Sequence, residues 1–236
     1  MLESTGTLHA PSEGMLTIEI PVAEIVLDHS ECAAVLDRYR IDYCCRGRQS
    51  LREACGERSL DPGTILDECE LAIRRREPKT TDPRTLTTRQ LITDVIGRHH
   101  RYLHRALPFL QTLSHKVAQV HGGRQEALRE LASQVEALST TLIAHLDDEE
   151  RTLFPALLTN DVAAAAPMLA TMREEHEVVG KMLADIRTIS EDYACPEWAC
   201  NSYRTLMAEL ANLEADTLRH VHVENHVLMP RFVATA

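Results

Sequence analysis

Two eleven-residue stretches of this chain follow one frame. "HLDDEERTLFP" runs from His145 to Pro155, and "HVHVENHVLMP" runs from His220 to Pro230. Both read His, three residues, Glu, three residues, Leu, one residue, Pro. On a helix, residues four apart differ by about 40° around the axis and about 6 Å along it. His145 and Glu149 therefore share a face, as do His220 and Glu224. An imidazole nitrogen beside a carboxylate oxygen is a ligand pair for iron, manganese or zinc. A carboxylate has two oxygens and can bridge two metals, whereas each His serves one. A single His-x-x-x-Glu pair carries little weight, since solvated helical pairs have the same spacing. The third such pair, His9–Glu13, falls in an N-terminal stretch without periodicity. The shared Leu and Pro positions set the other two apart.

Further histidines accompany them. "GRHHRYLHRALP" supplies His99, His100 and His104, and "REEHEVVG" supplies His176 among Val178, Val179, Met182 and Leu183. Burying several His and Glu side chains in an apolar core without a cation would leave costly polar groups. No His has Glu three residues before it, so the Glu-x-x-His signature of carboxylate-rich bundle sites is absent. Among the other histidines are His121, His222 and His226; His222 lies about 200° around the helix from His220. These three are expected at the surface or behind the ligands.

The elements that must position these residues follow from composition and pattern. The chain has 236 residues, 44% hydrophobic and only 4% aromatic, with nine Gly. That composition suits helices better than a sandwich or barrel. Residues 1–16 read as a loose tail and 17–76 as a small helical domain. Within the latter, "DPGTILDECELAIRRR" starts a helix with Asp61 as N-cap and Pro62 at the first turn. "EPKTTDPRT" reads as a linker over 77–85. Residues 86–236 hold four amphipathic stretches, at about 86–120, 125–158, 163–189 and 196–232. Short connections make them an antiparallel four-helix bundle. Pro108, Pro155 and Pro230 are expected near helix ends or kinks.

Net charge is −11 at pH 7, which disfavours nucleic acid and anionic membrane as partners. There is no apolar run near the ~18 residues of a membrane span. The first twenty residues lack the basic start and apolar stretch of a signal peptide, so a cytoplasmic location is the expectation. Seven Cys without an export signal argue against a disulfide framework. Cys44 and Cys45 are adjacent, which disfavours a structural disulfide between them. They precede an expected helix start and lie near Arg46 and Arg48, features that favour thiolate. They are candidates for a redox or metal-exchange pair; Cys195 and Cys200 have no comparable support.

"HLDDEERTLFP", "REEHEVVG" and "HVHVENHVLMP" resemble the metal-binding segments of hemerythrin-like di-iron domains. "IDYCCRGRQSLREAC" resembles the double-Cys segment of the iron–sulfur cluster repair di-iron (RIC) family, over about residues 20–233 in all. The resemblance implies an all-α chain, a hemerythrin-like bundle preceded by a small double-Cys domain. It implies two non-haem irons bridged by Glu149 and Glu224, with His145, His176 and His220 as terminal ligands. On the first helix the family His lies seven residues before a Leu-Pro pair, here Leu107-Pro108, which selects His100 over His99 and His104. Oxygen-carrying hemerythrins use five His, so this set differs from theirs. Members often carry Gly at the position of Arg46. For Cys44 and Cys45 the resemblance implies receiving or passing iron, or redox coupling to the di-iron site.

The implied function is repair of iron–sulfur clusters damaged by nitric oxide or peroxide, by iron donation. Damaged iron–sulfur proteins are then the partners. A linked activity is binding of nitric oxide and its reduction to nitrous oxide at the ferrous pair. The alternative is a non-catalytic binder, sensor or scavenger of nitric oxide or oxygen. A metal-free or zinc-bound interaction module is a third reading. A small helical domain with excess apolar surface is a place where two chains could pair as a homodimer.

Overall fold

In the computed structural model, residues 16–75 and 81–232 are described. Residues 1–15 of the expected tail, with His9 and Glu13, lie outside the described residues, as do residue 76, residues 77–80 of the expected linker, and 233–236. The chain divides into two compact units, residues 1–79 and 80–236.

Among its described residues the first unit contains four α-helices: α1 (Val22–Asp28), α2 (Ala33–Arg38), α3 (Leu51–Gly56) and α4 (Pro62–Arg74). Local chemistry sets their starts. Ser50 caps α3 through a capping box with Glu53, and Asp61 accepts the Thr64 N–H at 2.9 Å with Pro62 beginning α4. A 3₁₀ turn at Ser30–Cys32 separates α1 from α2. Val22, Ile25, Leu36, Tyr43, Leu51, Cys55, Ile65 and Cys69 form its buried interior.

The second unit is a bundle. Helix α5 spans 88–121, α6 spans 127–158, α7 is Val162–Ile189 and α8 spans 201–231. Each packs on the next, and α8 closes the ring against α5. Helix α5 begins later than residue 86 because Thr87 caps it, accepting the Gln90 N–H at 3.3 Å while Gln90 Oε1 accepts the Thr87 N–H at 2.9 Å. Helix α8 begins at Asn201 rather than 196, because Pro196 heads a turn in which its carbonyl accepts the Ala199 N–H at 2.9 Å. The connection before it carries Glu191, Asp192 and Tyr193 in the left-handed region, φ 52°, 59° and 61°. Pro108 departs from expectation: it lies inside the helical segment Arg101–His121. The missing N–H is tolerated because Pro108 lies on the exposed side of the helix, where solvent can serve the carbonyl left without its donor, while Leu103, Leu107, Leu110 and Val117 hold the opposite face in the core.

The core is a leucine-rich stripe at alternating spacings of three and four. On α6 it is Leu128, Leu131, Val135, Leu138 and Leu142; on α8 it is Tyr203, Leu206, Leu210 and Leu213. Among the described residues no helix is long and apolar enough to cross a membrane. Leu138 is 0% exposed. Leu138→Ala therefore costs the bundle about 2–5 kcal/mol, measured as a lower urea midpoint by circular dichroism.

Candidate metal centre

The apolar stripe changes chemistry at one end of the bundle without changing register. On α6 the series continues from Leu142 to His145 and Glu149; on α8 it continues from Leu213 through Thr217 to His220 and Glu224. On α5, His100 precedes Leu103 and Leu107 at the same spacing, and on α7, His176 lies between Met172 and Val179. All six polar side chains are buried, Glu224, His100 and His220 at 0% exposure.

Their ligand atoms form two groups. One contains His100, Glu149, His220 and Glu224; the other contains His145, Glu149, His176 and Glu224. Within each group the atoms lie within 4.8 Å of one another. Both carboxylates belong to both groups. The imidazoles pair by nitrogen: His100 Nε2 is 3.2 Å from His220 Nε2, and His145 Nε2 is 3.2 Å from His176 Nε2. Such a separation suits two nitrogens each about 2.1 Å from one ion. Glu149 faces His100 and His145 at 3.3 and 3.4 Å; Glu224 faces His176 and His220 at 3.3 and 3.0 Å. These contacts are misaligned for hydrogen bonding, and all four carboxylate oxygens are buried without a hydrogen-bond partner. Orphaned oxygens among converging ring nitrogens are what a cation would satisfy. The donor set thus fits a pair of metal ions.

Acid–base shifts express the same conflict. Burial, with the charge of Glu224, holds the Glu149 carboxyl well above the usual range. Burial opposes ionisation of Glu224 as well, but His220 and His176 hold it well below. Burial pulls His220 down to about 4, and burial with the nearby His176 lowers His145. For His176 the cost of burial is outweighed by the carboxylates of Glu224 and Glu149, and its pKa rises.

A surrounding layer orients the rings. His100 Nδ1 lies 2.8 Å from Glu150 Oε1, His145 Nδ1 is 2.7 Å from Glu175 Oε2, and His176 Nδ1 is 2.9 Å from Asn225 Oδ1. With Nδ1 donating to these oxygens, Nε2 is left to point inward with its lone pair. His220 instead stacks against His99, ring centroids 5.4 Å apart. Sequence reasoning missed Glu150, Glu175 and Asn225. Each directly neighbours a cluster residue in the chain, about 100° around its helix, and supports a ring on another helix.

Of His99, His100 and His104 on α5, only His100 enters the groups. His99 Nδ1 is 3.0 Å from Asp216, and His104 is half-exposed near Glu150. His222 departs from a surface placement: it is 3% exposed, with its ring 5.0 Å from His226. Val221, Val227, Leu228 and Met229 at the same end of α8 are buried too. His121 lies about 30 Å along α5 from His100, 3.2 Å from Cys200 Sγ and against Trp198.

Three π-helical turns mark the site: Ile96–His100, Glu149–Leu153 and Glu224–Leu228. Each ends or begins at a residue of the cluster, as widened turns often do at functional positions. In α6 and α8 the donor closing the turn, Phe154 or Met229, immediately precedes proline. Pro155 and Pro230 have no N–H for the ordinary ladder and crowd the carbonyl four residues back. The proline of the repeated frame thus contributes to the widened turn. Beside His145 and Glu149, a cavity of about 380 Å³ opens between α6 and α7, bordered by Thr152, Met168, Met172 and Glu175.

In the first unit, Cys44 and Cys45 occupy the loop between α2 and α3, not a helix start. Asp42 Oδ1 accepts the N–H groups of Cys44 and Cys45 at 3.1 and 2.8 Å. The expected thiolate does not hold for Cys44: its hydrogen bond with Cys45, its burial and the charge of Asp42 push the thiol well up. Arg46 is engaged elsewhere, bound by both Glu57 oxygens at 2.6 Å.

Comparison with known proteins agrees with this architecture. The Hemerythrin HHE cation binding domain matches residues 91–232, and the Domain of Unknown function (DUF542) matches residues 18–72. The chain is 31% identical to Iron-sulfur cluster repair protein ScdA of Staphylococcus haemolyticus (strain JCSC1435), over 92% of this chain and 100% of the relative. It is 31% identical to Iron-sulfur cluster repair protein YtfE of Enterobacter sp. (strain 638), over 91% of this chain and 96% of that protein. For YtfE of Yersinia pseudotuberculosis serotype IB (strain PB1/+), identity is 30% over 93% and 95%. A bundle with two His-Glu groups, preceded by a double-Cys unit and aligned with these relatives nearly end to end, belongs to the hemerythrin-like iron–sulfur cluster repair family.

Proposed function

We propose that this protein is a di-iron protein that repairs iron–sulfur clusters damaged by nitrosative or oxidative stress. The observation that carries the reading is the sharing of Glu149 and Glu224 between two pairs of imidazoles. His100 with His220 would hold one iron, and His145 with His176 the other, both carboxylates serving as bridges. The relatives named as repair proteins support the biological role.

When bound, a ferrous pair supplies two electrons and cationic charge at adjacent positions. The residues do the rest. Glu149 and Glu224, both buried, would bring the negative charge that offsets the cations. Glu150, Glu175 and Asn225 fix the ring tautomers and orientations. Leu142, Leu103 and Met172 border the centre with apolar surface and limit loss of ions to solvent. The cavity beside His145 and Glu149 gives a molecule as small as nitric oxide or oxygen a path to that side. It supports gas binding, and reduction of two nitric oxide molecules to nitrous oxide as a linked activity. It serves equally for a non-catalytic gas binder or sensor. Single-turnover mixing of the reduced protein with nitric oxide separates them: prompt nitrous oxide supports reduction, and a stable adduct without it supports binding alone. Cys44 and Cys45 are assigned to iron transfer or redox coupling during repair, with damaged iron–sulfur proteins as recipients in the cytoplasm.

Elemental analysis after anaerobic reconstitution gives about two irons per chain on this reading. Glu149→Ala and Glu224→Ala each lower that content while helical circular dichroism is largely kept; full loading in both variants removes the bridging assignment. Asn225→Ala and Glu175→Ala weaken metal affinity by about 10–100-fold, measured by competition with a chromophoric chelator. Cys44→Ala combined with Cys45→Ala keeps the bundle iron and lowers recovery of a damaged cluster enzyme in a repair assay. Unchanged recovery leaves the thiols without a part in it.

A further inference from the structure

Among the described residues, one further group of metal-ligating side chains lies outside the bundle: Asp42, Cys44 and Cys45. Cys44 Sγ is 3.2 Å from Asp42 Oδ1 and 3.6 Å from Cys45 Sγ, and one ligand atom from each residue falls within 4.8 Å of the others. Two thiolates on one tetrahedral ion, each at about 2.3 Å, sit about 3.8 Å apart. The observed sulfur separation is close to that edge.

The loop is held in this shape before any ion arrives. Ile41 and Tyr43 are buried on either side of Asp42. The Ile41 N–H reaches the Leu36 carbonyl at 2.9 Å, and the Gly47 and Gln49 carbonyls accept the Ala23 and Val22 N–H groups, each at 2.9 Å. Arg40, in the left-handed region at φ 56°, turns the chain out of α2 into the loop. The two N–H bonds to Asp42 fix its carboxylate beside the sulfurs. The nearest arginine in sequence, Arg46, is neutralised by Glu57 rather than by this group. Cys44 is buried, whereas Cys45 is partly exposed and gives the group a side open to solvent.

We propose that Asp42, Cys44 and Cys45 form a second cation site, sulfur-rich and open at one coordination position, for a thiophilic divalent ion of the ferrous or zinc class. Soft thiolate donors select such ions over magnesium or calcium. Binding replaces the two thiol protons: one M²⁺ enters, two S–H bonds break, two metal–sulfur bonds form, and two protons leave to solvent. No electron is transferred. Three protein donors and an open position suit exchange rather than permanent storage, because an incoming ligand can attach before the old ones leave. The site deepens the iron-handling reading proposed above; only the physiological identity of its ion rests on that reading.

Cobalt(II) titration of the full-length, reduced, anaerobic protein tests the site. The six bundle residues contain no sulfur, so a thiolate-to-cobalt charge-transfer band in the near ultraviolet is blind to the bundle. The expected result is that band, saturating with one cobalt per chain and releasing two protons per ion in a weakly buffered titration. Cys44→Ala with Cys45→Ala abolishes it. Asp42→Asn, which keeps an oxygen for the two N–H groups, weakens cobalt affinity about tenfold. Glu149→Ala with Glu224→Ala leaves the band unchanged, so failure of the bundle assignment does not imitate failure of this one. Absence of the band in the unaltered protein, or its persistence in the double-cysteine variant, overturns the proposal.

Discussion

Two carboxylates buried between four imidazoles are the constraint around which the bundle is organised. Both carboxylates are buried from bulk solvent, and protein hydrogen bonds do not satisfy the four oxygens of Glu149 and Glu224. A buried charge without a counter-ion costs several kcal/mol even after relaxation. Burial and the neighbouring charge push Glu149 up, while His220 and His176 pull Glu224 down, so the two acids oppose one another across the centre. Cations resolve it more fully, since each oxygen then faces positive charge.

The rest of the bundle serves that arrangement. Far from the centre, the inward stripe is leucine and valine and supplies the burial energy that holds four helices together. Near the centre, the same positions carry His and Glu. The change of residue type without a change of register lets rigid helices, rather than loops, set the ligand spacing. Polar residues next to the cluster residues in sequence then reach across to neighbouring helices. Glu150 supports His100, Glu175 supports His145, and Asn225 supports His176. One short segment thus both supplies a donor and orients a donor from another helix.

The small first unit applies a different donor chemistry. Its loop places two sulfurs and one carboxylate at close range, whereas the bundle groups are built from nitrogen and oxygen. Oxygen and imidazole donors suit harder ions, whereas sulfur donors suit softer ones. The chain therefore holds two donor environments of different chemistry.

Much of this was legible in the sequence because helix geometry is local. The i,i+4 spacing put His145 with Glu149 and His220 with Glu224, the apolar period outlined four long helices, and Asp61 with Pro62 marked the start of α4. Resemblance, rather than spacing, singled out His100 among three histidines, and the fold gathers that ring with the others while stacking His99 behind His220. Other features depended on what lies across the gap between helices. Nothing in the local pattern of Glu150, Glu175 or Asn225 names a partner, since each partner is a ring on another helix. His222 could be placed around its own axis but not against the surroundings that bury it. The charge state of Cys44 likewise followed the folded loop: proximity in sequence suggested arginine, whereas the fold gave Arg46 to Glu57 and placed Asp42 beside the thiol. The sequence by itself determined which side chains share a face, because a helix repeats every 3.6 residues. Only the tertiary structure decided which faces meet, because burial, hydrogen-bond pairing and charge depend on distances between segments far apart in the chain.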